Sequence, residues 1–348
     1  MQRRNFLQTT GMAALSAGLS RLHPFSAMPE AEKPRIIRPA RLREGATIAL
    51  IAPSSPPAPE KLAKAIANLS GFGYTIVEGK SLRAQYGHLA GSDAARLADL
   101  HEAFRDPAID AVWCVRGGYG AGRLLPHIDY ELIRRHPKPL IGYSDITALH
   151  IAIHQRTGLV TFHGPVAASD FPADTLHYFE SVLTRPVAPC IIQPAGPLPE
   201  GPEYPPFVIR PGKAEGRLTG GNLALLSAMV GTPYAPKFDK KIVFIEDVGE
   251  QPYRIDRMLT QLLQGSDLKK AAGIALGVFA ECQPKPGTFS LSLPDTLRDC
   301  LGALGIPVVY GIPFGHVANQ ATLPYGIRAT LDAEKFSLTL EELAAGSR

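Results

Sequence analysis

The sequence predicts an α/β protein: an N-terminal open, mainly parallel sheet with flanking helices, flavodoxin-like, followed by a smaller C-terminal mixed α/β domain. Three observations carry that prediction. Short apolar runs alternate with helical patterns from residue 47 onward. A stretch at 186–211 is crowded with proline and glycine, which marks a boundary between two halves. The chain has 348 residues, 45% of them hydrophobic and 20% charged, enough for a large core and two domains.

Taken in order, Thr47 to Ala52 reads as a strand, Pro59 to Leu69 as a helix opened by proline, and Tyr74 to Val77 as a second strand. Ser92-Asp93 opens a helix carrying Ala95, Leu97, Leu100 and Phe104. Ile109 to Val115 is a strand that runs into the glycine-rich turn Arg116 to Arg123, and a helix follows from Arg123 to Arg134. Leu140-Ile141 is a short buried strand, broken at Gly142, after which Ile146, Leu149 and Ile153 recur at helical spacing. This assigns an N-terminal domain to 41–185, a linker to 186–211 and a C-terminal domain to 212–348. In the last, strands are expected at Glu215 to Leu218, Lys241 to Ile245, Ile274 to Phe279, Pro307 to Tyr310, Arg328 to Leu331 and Phe336 to Leu340. Helices are expected over Asn222 to Val230, Pro252 to Leu263 and Pro294 to Leu304.

The N-terminus is of another kind. Arg3-Arg4-Asn5-Phe6-Leu7 precedes an uncharged segment from Gly11 to Leu19, so residues 1–31 resemble a twin-arginine export signal. The apolar part is shorter than the about 20 residues of a membrane span. The expected location is the periplasm, with the cytoplasm as the alternative. The net charge of +4, from 36 basic and 32 acidic residues, is too even to point to nucleic acid. Cys114, Cys190, Cys282 and Cys300 lie far apart, giving neither a metal pattern nor a disulfide framework.

Ser144 stands at the break between strand and helix, where free backbone N–H groups and the helix dipole can stabilise an oxyanion; an ordinary N-cap is the competing reading. G-x-S-x-G is absent, because Ile146 occupies the second glycine position. The Gly117, Gly118, Gly120 and Gly122 spacing does not make G-x-G-x-x-G, but such a turn can donate backbone N–H groups at close range. Phe244-Ile245 ends in Glu246, Asp247 and Glu250, any of which could orient an imidazole. His316, in a polar loop after a buried strand, and His163 compete to supply that imidazole. His150 and His154, four apart on one helix, lack a third metal ligand.

Five ordered blocks together resemble the serine LD-carboxypeptidase family, which includes murein tetrapeptide carboxypeptidases and microcin C self-immunity peptidases. They are Arg116-Gly117-Gly118-Tyr119-Gly120, Gly142-Tyr143-Ser144-Asp145-Ile146-Thr147, Gly220-Gly221-Asn222-Leu223, Glu246 to Arg257, and Gly315-His316 with Thr322 to Gly326. The resemblance implies Ser144 as nucleophile, His316 as general base and acid, and Glu246 as the carboxylate that orients it. It also implies an oxyanion hole from the backbone N–H of Asp145 and of Gly117 or Gly118, no metal or organic cofactor, a muropeptide or other small peptide substrate, and a homodimer. A microcin-type peptidase or amidase, and a non-catalytic periplasmic binding protein, are the alternatives.

Overall fold

The computed structural model describes residues 35–194 and 205–346. The export signal assigned to 1–31 and the middle of the 186–211 stretch lie outside the described residues.

The first sheet grows from β1 (Thr47–Ile51), α1 (Pro59–Gly71), β2 (Thr75–Glu78), α2 (Asp93–Arg105), β3 (Ala111–Cys114), α3 (Tyr130–Arg135), β4 (Leu140–Gly142), α4 (Thr147–Thr157) and β5 (Phe162–His163). These strands are parallel, with helices as crossovers, in the order β5-β4-β3-β1-β2. Fully buried strands of this type read as continuous apolar runs, which is why Ala111–Cys114 and Leu140–Gly142 are legible from residues alone. The Ser92 hydroxyl caps α2 by accepting from the Ala95 N–H. Between β3 and α3 the expected single helix is instead a 3-10 segment, Ala121–His127, because Pro126 interrupts it, followed by the separate α3. A further helix, α5 (Ala173–Phe179), places Phe179 in a stack on buried Trp113 with ring centres 4.9 Å apart.

The second half contains β6 (Cys190–Ile192), β7 (Phe207–Arg210), β8 (Lys213–Asn222), α6 (Leu223–Ala228), β9 (Lys241–Val248), α7 (Pro252–Gly265), β10 (Gly273–Ala280), α8 (Leu293–Leu301), β11 (Val308–Gly315), β12 (Leu323–Pro324), β13 (Arg328–Asp332) and β14 (Ser337–Leu340). Its sheet has eight strands in the order β6-β14-β13-β8-β9-β10-β11-β7, against six in the first. The central β8-β9-β10-β11 block is parallel and the flanks are antiparallel. Both ends of the Pro/Gly-rich 186–211 stretch therefore enter this sheet, as β6 and β7.

β12 does not join the sheet of its own half. It pairs antiparallel with β5 and completes the first sheet. The next residues turn back: the Tyr325 N–H donates to Thr161 O (2.9 Å), the Gly326 N–H to Leu218 O (2.8 Å), and the buried Tyr325 hydroxyl to Gly220 O (2.7 Å). This short segment ties both sheets into one compact unit.

Candidate active site

β4 delivers Ser144 at its carboxyl end. Tyr143 is still extended, and Ser144 then takes a φ of 65°, a conformation that an L side chain adopts at a cost, before a 3-10 turn, Ser144–Ile146, leads into α4. A serine held on a strained strand-to-helix turn exposes its hydroxyl above the sheet. Here the turn forms without the second glycine of G-x-S-x-G, so the missing motif did not exclude the geometry.

The glycine-rich turn after β3 closes over this serine. A Cβ on Gly117 would lie 2.9 Å from Ser144 Cβ, 3.1 Å from Ser144 Oγ and 3.1 Å from Asp145 N, so only a glycine lets the two backbones approach. Asp145 locks the arrangement from beneath: its buried carboxylate accepts from Ser54 Oγ (2.5 Å) and from the Ala121 N–H (2.8 Å). Burial raises the Asp145 pKa, partly offset by those hydrogen bonds. Buried Arg96 fastens the other flank by donating to Pro53 O and Gly120 O.

The second sheet supplies the opposite wall. Glu246 sits near the carboxyl end of β9, fully buried, and its Oε2 lies 2.7 Å from Nδ1 of His316, just past the end of β11. Because a carboxylate only accepts, Nδ1 carries the proton and the Nε2 lone pair is free. Gly315 makes the pair possible: with φ of 114°, its bare Cα lets Glu246 pass where a Cβ would stand 3.0 Å from Glu246 Cβ. Burial pushes the His316 pKa down, but the Glu246 charge and hydrogen bond, with Asp247 behind, outweigh it and leave the pKa raised. The Tyr143 ring meets His316 edge-on at 4.7 Å.

Ser144 and His316 line one cavity of about 440 Å³, together with Gly117, Gly118, Arg116 and Gln320. A larger one of about 710 Å³, near Arg43, Tyr74 and Phe179, contains none of Ser144, Glu246 or His316. The three acidic residues after β9 separate cleanly. Asp247 accepts from Asn222 Nδ2 (3.0 Å) and the Ala224 N–H (2.9 Å), and Glu250 pairs with Arg254 at the surface. His163, the competing imidazole, is buried behind Tyr143 and does not line the cavity. His150 and His154 are buried on α4, bond to Gly142 O and Leu159 O, and are pushed down to about 4 by burial, so they stay neutral packing groups. Among the described residues no cluster of three or more His, Cys, Asp or Glu could hold a metal. Tyr143, Gln320 and the side chain of Arg116 are cavity residues that the sequence reading did not single out. Their only signal was adjacency to the glycine turn, Ser144 and His316.

Residues 48–164 match the N-terminal domain of the LD-carboxypeptidase family, and residues 215–331 its C-terminal domain. A Bacillus subtilis protein named "Probable murein peptide carboxypeptidase" is 44% identical over 87% of this chain and 94% of its own length. The chain belongs to the LD-carboxypeptidase family. Within that family it is also similar to the murein tetrapeptide carboxypeptidase of Pseudomonas aeruginosa, at 37% identity over 83% of this chain and 94% of that protein. Among solved structures it resembles the self-immunity protein MccF in complex with glutamyl sulfamoyl guanosine, with a TM-score of 0.79, 27% identity, and coverage of 89% of this chain and 99% of that one. The chain is therefore a peptidase of the LD-carboxypeptidase type, and its two-sheet α/β architecture is that of the family. Among the described residues no helix is long and apolar enough to cross a membrane.

Proposed function

We propose that this protein is a serine carboxypeptidase that cleaves the L-to-D bond of murein tetrapeptide and releases the terminal D-alanine. The observation that carries this reading is the 2.7 Å Glu246–His316 pair opening on the same cavity as Ser144, beneath the Gly117 turn. In the forward step His316 Nε2 takes the Ser144 hydroxyl proton as Oγ attacks the scissile carbonyl. The oxyanion is held by the backbone N–H of Asp145 and of Gly117 or Gly118. Collapse breaks the C–N bond, His316 Nε2–H protonates the departing amine of D-alanine, and an acyl-enzyme remains on Ser144. Water, deprotonated by His316, then releases the tripeptide. Glu246 fixes the tautomer throughout and steadies the imidazolium.

The murein relatives support this substrate over the microcin type, whose structural representative is less similar in sequence. The test is D-alanine release from L-Ala-γ-D-Glu-diaminopimelate-D-Ala. Ser144→Ala and His316→Ala are expected to lower the rate roughly 10⁴-fold or more while remaining folded. An inert wild type removes the murein substrate. A wild type that works while Ser144→Ala keeps its rate removes the assigned chemistry.

We further assign the mature protein to the periplasm on the strength of Arg3-Arg4 and the uncharged segment that follows. Export of a reporter carrying residues 1–31 should stop when both arginines become lysine. A homodimer is the expected assembly, and sedimentation at micromolar concentration tests it.

A further inference from the structure

Resting on that reading, we propose that Arg116 anchors the free C-terminal carboxylate of the substrate and thereby confines cleavage to the last peptide bond. The cavity has two cationic side chains, Lys61 and Arg116, and one carboxylate, Asp170, which is already paired with Lys64. Arg116 is half-buried, and its hydrogen bonds go to neutral carbonyls: Nε to Gly117 O at 3.2 Å and Nη1 to Pro56 O at 3.3 Å. A guanidinium has five N–H donors, so most of this fork remains available, and no carboxylate among the described residues pairs with it. A partly desolvated cation without a counter-charge is costly, and a ligand carboxylate repays that cost.

Position makes the same point. Gly117 lies against Ser144 Oγ, and Arg116 is the residue beside it. In a substrate losing a single residue, the terminal carboxylate is likewise one residue beyond the scissile carbonyl, about 3.8 Å between successive α-carbons. The two contacts to Gly117 O and Pro56 O hold the fork in advance, which lowers the entropy of binding. Lys61 is exposed on α1 and offers only a point charge on a free stem.

The experiment compares kcat/KM for two peptides, L-Ala-γ-D-Glu-diaminopimelate-D-Ala and the same peptide with a terminal carboxamide. The wild type should prefer the free acid by roughly 100-fold, the scale of a lost charge-paired contact. Arg116→Gln should bring the ratio near one by lowering the acid rate, with the carboxamide rate within about threefold of wild type, and Arg116→Lys should recover part of the preference. Lys61→Met should leave the ratio in place. A ratio that survives Arg116→Gln overturns the inference, as does collapse in Lys61→Met. Equal loss on both peptides also overturns it, because Arg116 would then only shape the turn. A wild type inert on both overturns the murein reading itself, a result distinct from the other three.

Discussion

At His316 two opposing forces are decided by one contact. Burial favours the neutral ring, and Glu246 at 2.7 Å favours the charged one strongly enough to leave the pKa above its ordinary value near 6.5. In its proposed role as general base His316 must be neutral, so kcat/KM is expected to fall with decreasing pH through a midpoint above 6.5. Glu246→Gln removes the attraction and leaves burial, so the midpoint should drop below 6.5 while the rate falls by orders of magnitude. The stability sign is the reverse. A raised folded-state pKa contributes stability that is fully present below the unfolded value near 6.5 and lost as pH rises through the folded one. Thermal melts of wild type and Glu246→Gln should therefore differ more at pH 5 than at pH 9. Asp247 acts in the same direction at lower pH: burial first, then the Glu246 charge, raises it to about 6, so its ionisation between pH 4 and 6 weakens the fold as pH rises. At this scale the sequence offered candidates without ranking them. Glu246, Asp247 and Glu250 are alike as letters near a strand end, and their roles separate because the pleat sends Glu246 to His316 and Asp247 to Asn222, while Glu250, beyond the strand, pairs with Arg254.

The Gly117 turn illustrates what one added methyl group does to an element. In Gly117→Ala the new Cβ meets Ser144 Cβ at 2.9 Å and Asp145 N at 3.1 Å, so the turn must lift away from the serine. Activity should fall at least 100-fold, the cost of misplacing the proposed oxyanion donor, and the melting temperature should change little because Gly117 lines the cavity, where the turn has room to move. A change confined to stability would contradict that geometry. The buried strands, the Ser92 cap and the Pro59 helix start were all readable, since each rests on local chemistry. The φ of 65° at Ser144 was not, because the strain is imposed by packing around a turn rather than by the identity of Ser144 or Ile146.

Across the whole molecule, the segment from Leu323 to Gly326 holds the two sheets together, and its contribution should appear as cooperativity. Tyr325→Phe leaves the buried Gly220 carbonyl without its 2.7 Å donor and should cost about 1–3 kcal/mol. Leu323→Ala, at a fully buried position on β12, should cost about 2–5 kcal/mol. In both variants calorimetry should still record one transition, shifted down; two separate transitions would mean that the sheets unfold independently. The two-half organisation was evident from the Pro/Gly-rich stretch, and the family match to 48–164 and 215–331 agrees with it. The exchange of β12 was not evident. A two-residue strand has no period to detect, and its partner β5 lies about 160 residues away in the chain.

That exchange also sets an order of events during synthesis. The ribosome makes Ser144 early, yet the sheet behind it lacks its outermost strand until Leu323-Pro324 emerges, a few residues after His316. A nascent chain bearing Ser144, the proposed nucleophile, is thus born without His316, its proposed base, and with an unfinished edge, and both deficits are made good almost together. Completion of the fold and assembly of the proposed catalytic site become the same moment.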